Sequence, residues 1–346
     1  MDVDWRSEIG NQKSRIENPA RRVLVTGGGG YVGSHTVLAL QDAGSEAVVL
    51  DNFEAGYRDA VSGCQIVEGD IRRADDVERA FAHGPFGAIL HFAGLANVPH
   101  SFEDPEKCYA ANLTGGLNLL GAARRHGVGA FVFSSSAAVY GPPETTPIPE
   151  EHPQRPISPY GFTKSAFERV LRDFGAAYGL RSVSLRYFNA AGADPAGRAG
   201  ERHNPETHLI PIVLQHLAGR RPEIRMFGTD YPTPDGSCIR DYVHVSDLAQ
   251  AHVLAVRALA NGAPTASLNL GIGRGYSVRE VIRTAEQIAG RPARVVESPR
   301  RAGDPPFLVA DPSRAHQALG WTPQYPDLET IIRTAWNWET RSLPKV

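Results

Sequence analysis

The chain is poor in sulfur and has no electrostatic bias. Its 346 residues include two methionines and three cysteines, Cys64, Cys108 and Cys238. The cysteines are scattered, odd in number and form no CxxC pair. That excludes a disulfide framework and a thiolate zinc site, and it suits a reducing compartment. No apolar run approaches the roughly 18 residues of a membrane-spanning helix. The net charge of -2 leaves no global field to recruit nucleic acid or an anionic membrane, although local basic spots for phosphate stay open. The first twenty residues, MDVDWRSEIGNQKSRIENPA, lack the apolar core of a signal peptide and read as a flexible extension or as a start codon placed too early. A cytoplasmic location is expected. There is no HExxH, His203 and His208 lack ligand partners at a useful spacing, and no metal site is expected. His91, inside an apolar run, reads as a core histidine. Internal repeats and low-complexity tracts are missing too.

What is present is an alternation. RRVLVT (21–26), EAVVLD (46–51), QIVEGD (65–70), AILHFAG (88–94), AFVFSSS (130–136) and SVSLRYFN (182–189) are short apolar runs that read as strands. Helical stretches separate them: one ending near Asp42, ADDVERAFA, and AANLTGGLNLLGAARRHG closed by Gly127. This spacing predicts an α/β fold with a parallel, doubly wound sheet. The Pro-rich stretch 141–159 is loop and delivers the chain to a helix with Ser158 as N-cap and Pro159 at its first position. Phe167, Val170, Leu171, Phe174 and Tyr178 form that helix's apolar stripe, and Gly179 ends it. Beyond residue 189 the alternation loosens. Residues 21–188 are expected to form the nucleotide-binding domain, with returns near 236–273 that include SLNLGIG (267–273). Residues 189–346 are expected to form mainly a smaller substrate domain.

Two constellations carry chemistry. Gly27, Gly30 and Gly33 form GxxGxxG between a strand and a helix, where a pyrophosphate needs a tight turn, close backbone approach and close helix–strand packing. The helix N-terminus offers N–H groups and a positive dipole to the phosphates. Asp51 ends the next strand, where a carboxylate holds both ribose hydroxyls and repels a 2′-phosphate, so NAD is favoured over NADP. Asp70 is a second candidate, for the adenine edge or equally as a helix cap. The other constellation is Ser136 at a strand end with Tyr160 and Lys164 one helical turn apart. Lys164 is expected to lower the pKa of Tyr160, whose tyrosinate takes a proton from a sugar hydroxyl as hydride leaves for NAD. Ser136 can hydrogen-bond the same oxygen.

TGGGGYVGSHT, LDNFEAG, EGDIR, LHFAGLA, FSSSAAVYG, SPYGFTK, LRYFNAAGA, DYPTPDGSCIRDYVHVSDLA and RRAGDPP occur in that order. From about residue 21 to 340 they resemble the UDP-glucose 4-epimerases of the extended short-chain dehydrogenase/reductase class, most specifically over 230–249. The resemblance implies a Rossmann-type NAD-binding fold and inversion at C4 of a UDP-hexose through a 4-keto intermediate. It implies that Tyr31, Val32, Asn52, Ile71, Phe92, Ala93, Gly94, Asn112 and Tyr187 line NAD together with Gly27, Gly30, Gly33, Asp51, Asp70 and Lys164. Asn189, His208, Leu209, Arg240, Arg301, Asp304 and Leu308 would hold the UDP-sugar with Ser136 and Tyr160. Read without the resemblance, Arg301 is as readily a surface charge and His208 a loop histidine on a helix cap. Homodimers through the helices near 105–125 and 160–178 are expected.

Three positions depart from the family pattern. Ala96 replaces a frequent lysine near the NAD phosphates and implies looser cofactor binding. His208 stands at a position that is often asparagine. Leu308 replaces the tyrosine that closes the sugar pocket in some members and leaves room for an N-acetyl group. The rival readings are a nucleotide-sugar 4,6-dehydratase or a decarboxylase, 4-epimerisation of UDP-N-acetylglucosamine, UDP-xylose or UDP-glucuronate, and an NAD-sensing binding protein. Dehydratases and decarboxylases carry acidic residues just after the strand-end Ser or Thr. Ala137 and Ala138 stand there and cannot move protons. An NAD sensor typically loses the Tyr/Lys pair.

Overall fold

A computed structural model describes residues 22–301 and 304–341; the extension expected at 1–20 lies outside them. Six strands lead the chain: β1 (Arg22–Thr26), β2 (Glu46–Asp51), β3 (Gln65–Glu68), β4 (Ala88–His91), β5 (Ala130–Ser136) and β6 (Arg181–Tyr187). Eight more follow among the described residues: β7 (Asn189–Ala191), β8 (Ile224–Phe227), β9 (Ile239–Arg240), β10 (Tyr242–His244), β11 (Ala266–Leu270), β12 (Tyr276–Ser277), β13 (Val295–Ser298) and β14 (Phe307–Leu308). β1 to β6 and β11 make one seven-stranded parallel sheet in the order β11-β6-β5-β4-β1-β2-β3. The order reverses at β1/β4, which puts a ligand crevice at the carboxyl ends of those strands.

The continuous apolar runs follow from cover on both faces. Val23 and Val25 of β1, Ala47 and Val49 of β2, and Ala130 and Val132 of β5 face one core cluster; Leu24, Val48, Leu50, Phe131 and Phe133 face the other. The first cluster is covered by α1 (Tyr31–Asp42) and, from much later in the chain, α8 (Val245–Ala260) and the fully buried Trp321. The second is covered by α2 (Ala74–Phe81), α5 (Gly115–Arg125) and α6 (Pro159–Tyr178). A third cluster joins α7 (Leu209–Leu217), α9 (Val278–Ala289) and α11 (Leu328–Glu339) beside the short strands. α3 (Val98–Glu103), α4 (Pro105–Tyr109) and α10 (Ser313–Leu319) are short.

Three local expectations change. SVSLRYFN is not one strand. The chain leaves the sheet after Tyr187 because the amide of Asn189 bonds to the Asp241 carbonyl (2.9 Å) and β7 pairs with β10. The helix read over 110–127 opens as a π-helical turn, Ala110–Thr114, that carries Asn112. Tyr178 leaves the apolar stripe of α6 and lies exposed under the Arg124 guanidinium. Ser158 caps α6 by accepting from the Gly161 amide (3.1 Å), and Gly179 ends it at φ +73°.

A buried ion pair fixes α6 to the sheet. Arg186 of β6 grips Glu168 of α6 with Nε to Oε1 at 2.9 Å and Nη2 to Oε2 at 2.6 Å. Ser135 (2.6 Å) and Gln154 (3.0 Å) also donate to this carboxylate. Burial pushes the Glu168 carboxyl up; Arg186, Ser135 and Gln154 override it and leave it below an ordinary glutamate. A depressed carboxyl stabilises fully above the unfolded value, and the gain is lost as pH falls through the folded one. Glu168→Ala is expected to cost about 3–5 kcal/mol in urea unfolding near neutral pH, because it strands a buried guanidinium. That gap should shrink as the pH drops below 4.5, the ordinary glutamate value.

Candidate active site

The glycine loop explains its own composition. Gly27 sits at φ +72°, and a Cβ there would enter the backbone of Ala93 beyond β4. A Cβ on Gly33 would strike the Gly27 carbonyl oxygen, so loop and helix touch without side chains between them. Gly30 is the N-cap of α1, and a Cβ on it would meet only that carbonyl, at 3.3 Å. The first-turn N–H groups of α1 have no acceptor within the helix and face this cradle. Asp51 is buried at the end of β2. Its oxygens accept from the Gly29 and Phe53 amides, each at 2.8 Å. Each oxygen retains a lone pair for a further donor. Burial raises the Asp51 pKa, and the two amides oppose that. A glycine cradle on a helix N-terminus beside a buried strand-end carboxylate fits a dinucleotide.

The other cofactor candidates divide between cradle and scaffold. Asn52 donates to Asp70 (3.2 Å), and Arg72 also grips Asp70. The Arg72 hydrogen bonds hold the Asp70 carboxyl below its ordinary range. Asp70 does not cap α2, whose N-cap is Arg73 with no side-chain bond. Ile71 packs on Gly115. The Tyr31 hydroxyl donates to the Gly192 carbonyl (2.6 Å), and Val32 packs against the first core cluster. Phe92 leans on His252, to which the Tyr187 hydroxyl is bonded at 2.7 Å. The amides of Phe92 and Ala93 still bond to Thr26. Asn112 brackets the loop after β4: it accepts from the Leu95 amide (2.8 Å) and donates to the Leu95 carbonyl (3.0 Å) and to Thr163 of α6 (3.0 Å). Gly94, at φ +154°, leaves room for that amide. Ala96 is exposed in the same loop.

Ser136, Tyr160 and Lys164 come together where β5 ends against the first turn of α6. A Cβ on Gly161 would crowd the Ala138 carbonyl at 2.5 Å, so the helix start lies directly on the turn that follows Ser136. Ser136 Oγ accepts from the Ala138 amide (3.1 Å) and is close enough to Tyr160 to favour its ionised form. Lys164 Nζ donates to the Ser134 carbonyl (2.7 Å) and lies 5.7 Å from the Tyr160 ring centroid. The titration differs from the sequence expectation. Burial raises the Tyr160 pKa, and the opposing influence is Ser136 rather than Lys164. Lys164 is itself pulled down to about 8 by burial. Two groups in one dry pocket both resist charge; a further positive charge, such as an oxidised nicotinamide, would favour the tyrosinate.

The substrate candidates fall into two groups. Arg240 pairs with Asp304 (2.5 Å) and donates to the Pro305 carbonyl (2.9 Å). Leu308 stands opposite Arg240 in the β9–β14 register and packs against the small core cluster that contains Ala137, Phe188 and Ala310. Asn189 donates to the Asp241 carbonyl (3.1 Å). Arg301 lies exposed over the Phe227 ring (4.0 Å); burial raises the Cys238 thiol, Arg240 and Arg301 pull it down, and Asp304 pushes it up. His208 caps α7 from its first flanking position without a side-chain cap bond, and Leu209 starts that helix against the third core cluster.

His208 does have partners, contrary to the reading of its spacing. Its Nδ1 lies 2.9 Å from Glu201 and 2.9 Å from Glu206. His203 joins the same group, so Glu201, His203, Glu206 and His208 converge. The His208 ring is more than half exposed; loss of part of its hydration pulls its pKa down, but Glu201 and Glu206 outweigh that and raise it to about 10. Asp241 also escaped the sequence reading. It is fully buried, accepts from the amides of Ile272 (2.8 Å), Gly273 (3.1 Å) and Ala310 (3.2 Å), and is pushed up to about 6 by burial. Its place beside Arg240 was the available signal.

Comparison with known proteins agrees with this geometry. Residues 23–271 match the model of the NAD dependent epimerase/dehydratase family. A UDP-glucose 4-epimerase of Azospirillum brasilense is 53% identical over 93% of this chain and 92% of its own length. The crystal structure of UDP-glucose 4-epimerase from Brucella ovis in complex with NAD superposes with a TM-score of 0.89 at 49% identity, covering 92% of this chain and 98% of that one. The UDP-Glc/GlcNAc 4-epimerase of Campylobacter jejuni matches with a TM-score of 0.81 at 38% identity, over 92% and 98%. A doubly wound sheet, a glycine cradle at its switch point and a Ser/Tyr/Lys cluster at its carboxyl edge thus occur in a chain that belongs to the NAD dependent epimerase/dehydratase family.

Proposed function

We propose that the protein inverts C4 of a UDP-hexose, interconverting UDP-glucose and UDP-galactose. The observation that carries this is the meeting of Ser136, Tyr160 and Lys164 beside the glycine cradle, with Ala137 and Ala138 where a dehydratase needs acids. Bound NAD supplies reversible hydride transfer at C4. Gly27, Gly30, Gly33 and the first-turn amides of α1 hold its phosphates, Asp51 its adenosine ribose, and Asp70 its adenine edge. Tyr160 takes the proton from the C4 hydroxyl and returns it. Ser136 hydrogen-bonds the same oxygen, and Lys164 contributes positive charge beneath it. Arg240, Arg301, Asp304, Asn189, His208 and Leu209 anchor UDP, so that the 4-keto sugar turns while its nucleotide stays fixed. Residues 21–188 with β11 and α8 serve the cofactor, and most of 189–346 serves the sugar nucleotide.

Two finer readings complete the proposal. Leu308, smaller than a tyrosine and half-buried against the core cluster that contains Ala137, leaves space for an N-acetyl group, so UDP-N-acetylgalactosamine is also a substrate. Two copies pair through α4, α5 and α6, whose surface exposes Tyr109, Leu117 and Phe162, apolar side chains of the kind that mark an interface. Among the described residues no helix is long and apolar enough to cross a membrane; a cytoplasmic location is proposed from the scattered free thiols.

Tyr160→Phe is expected to lower turnover of UDP-galactose about a hundredfold to ten-thousandfold with NAD still bound; near-parental turnover would overturn the acid/base role. NMR of the anomeric signals should show conversion of both UDP-galactose and UDP-N-acetylgalactosamine. Leu308→Tyr should abolish only the second, and failure of the parent to convert it removes the roomy-pocket reading. Light scattering should report a dimer, and Phe162→Glu a monomer; a parental monomer rejects the interface.

A further inference from the structure

Outside the Ser/Tyr/Lys cluster, the segment between β7 and α7 reads E-x-H-x-x-E-x-H, from Glu201 to His208. It has no helix or strand of its own, yet it brings four ligating groups to one point. His203 Nδ1 is 3.0 Å from Glu201 and 3.6 Å from Glu206, and His208 Nδ1 is 2.9 Å from each carboxylate. All four donor atoms lie within 4.8 Å of one another. A tetrahedral zinc with bonds of about 2.0–2.1 Å places its ligands roughly 3.3–3.4 Å apart. The observed separations straddle that value.

We infer that Glu201, His203, Glu206 and His208 form a site for a divalent first-row cation, with Zn²⁺ the best match. The alternative is a cluster of two imidazolium–carboxylate pairs. It would set two positive rings 5.0 Å apart at their centroids, whereas a single dication between neutral rings satisfies both acids at once. Imidazole nitrogen and carboxylate oxygen suit zinc and its neighbours better than calcium or magnesium. The carboxylate side chains are 7% and 3% exposed, and such buried anions need a cation.

The surroundings hold the ligands in place, as metal sites require. Glu206 Oε1 accepts from the amides of Thr207 (2.7 Å) and His208 (2.8 Å). The Trp338 indole donates to the Glu201 carbonyl (3.2 Å), and the Tyr31 ring lies edge-on to His203. The cation would therefore clasp the first turn of α1, the end of α11 and the start of α7. Ligation through Nδ1 leaves the Nε2 of His208 free of the metal.

The test uses the full-length protein with its NAD, stripped of metal by a chelator and titrated with Co²⁺ alone. One equivalent should bind with the visible absorption of tetrahedral cobalt, and one equivalent of Zn²⁺ should erase it. His203→Ala and the isosteric Glu206→Gln, each checked for native circular dichroism, should weaken Co²⁺ binding at least about tenfold. Absence of tetrahedral absorption in the parent, or equal binding in both folded variants, overturns the site and leaves the paired-charge cluster. Epimerase activity does not enter these readouts.

Discussion

The Glu168–Arg186 pair is the constraint on which the reactive geometry rests. Glu168 stands four residues beyond Lys164 on α6, and one of its donors, Ser135, is the neighbour of Ser136. Arg186 continues outward to the Tyr140 hydroxyl (2.8 Å) and the Glu150 carbonyl (3.1 Å), and Tyr140 passes the chain of bonds to Asn269 of β11 (2.6 Å). One network thereby joins β5, β6, β11, α6 and the Pro-rich loop. The register between the strand that carries Ser136 and the helix that carries Tyr160 and Lys164 is set by charge-assisted bonds in a dry interior, where they are strongest and most directional.

Close backbone contact does the same for the cofactor side. Gly27 and Gly33 bring β1, the exit of β4 and α1 together without side chains, and Gly116 lets α5 rest on the Phe167 ring. Asn112 then ties the loop after β4 to Thr163, one residue before Lys164. Cradle and reactive pair are two ends of one hydrogen-bonded unit.

Much of this could be read from the sequence. Val23, Leu24 and Val25 are apolar in succession because both faces of the sheet are covered. That run, the glycine spacing, Asp51 and the Ser158–Pro159 helix start are local signals. The second half was less legible because its pairings are not local. Tyr242 finds its partner in Asn189, and Leu308 finds Arg240, through strands of two or three residues with no periodicity to detect. The Glu168–Arg186 bond joins residues 18 apart in sequence and carries no local pattern. The carboxylate partners of His203 and His208 are equally hard to read, because ligand spacing rules assume a helix or hairpin and this segment is neither. Burial of Tyr160, which opposes the tyrosinate, likewise leaves no mark in the YxxxK pattern.

The strand order has a consequence for biosynthesis. β6 is an interior strand of the finished sheet, but its outer neighbour β11 emerges from the ribosome roughly eighty residues later, about 4–16 s at ordinary elongation rates. During that interval Val183 and Leu185 sit on an open sheet edge with unpaired backbone groups. The nascent chain is then at its most vulnerable to strand-to-strand aggregation, and slower translation of residues 190–265 would lengthen the exposure of the edge that bears Arg186.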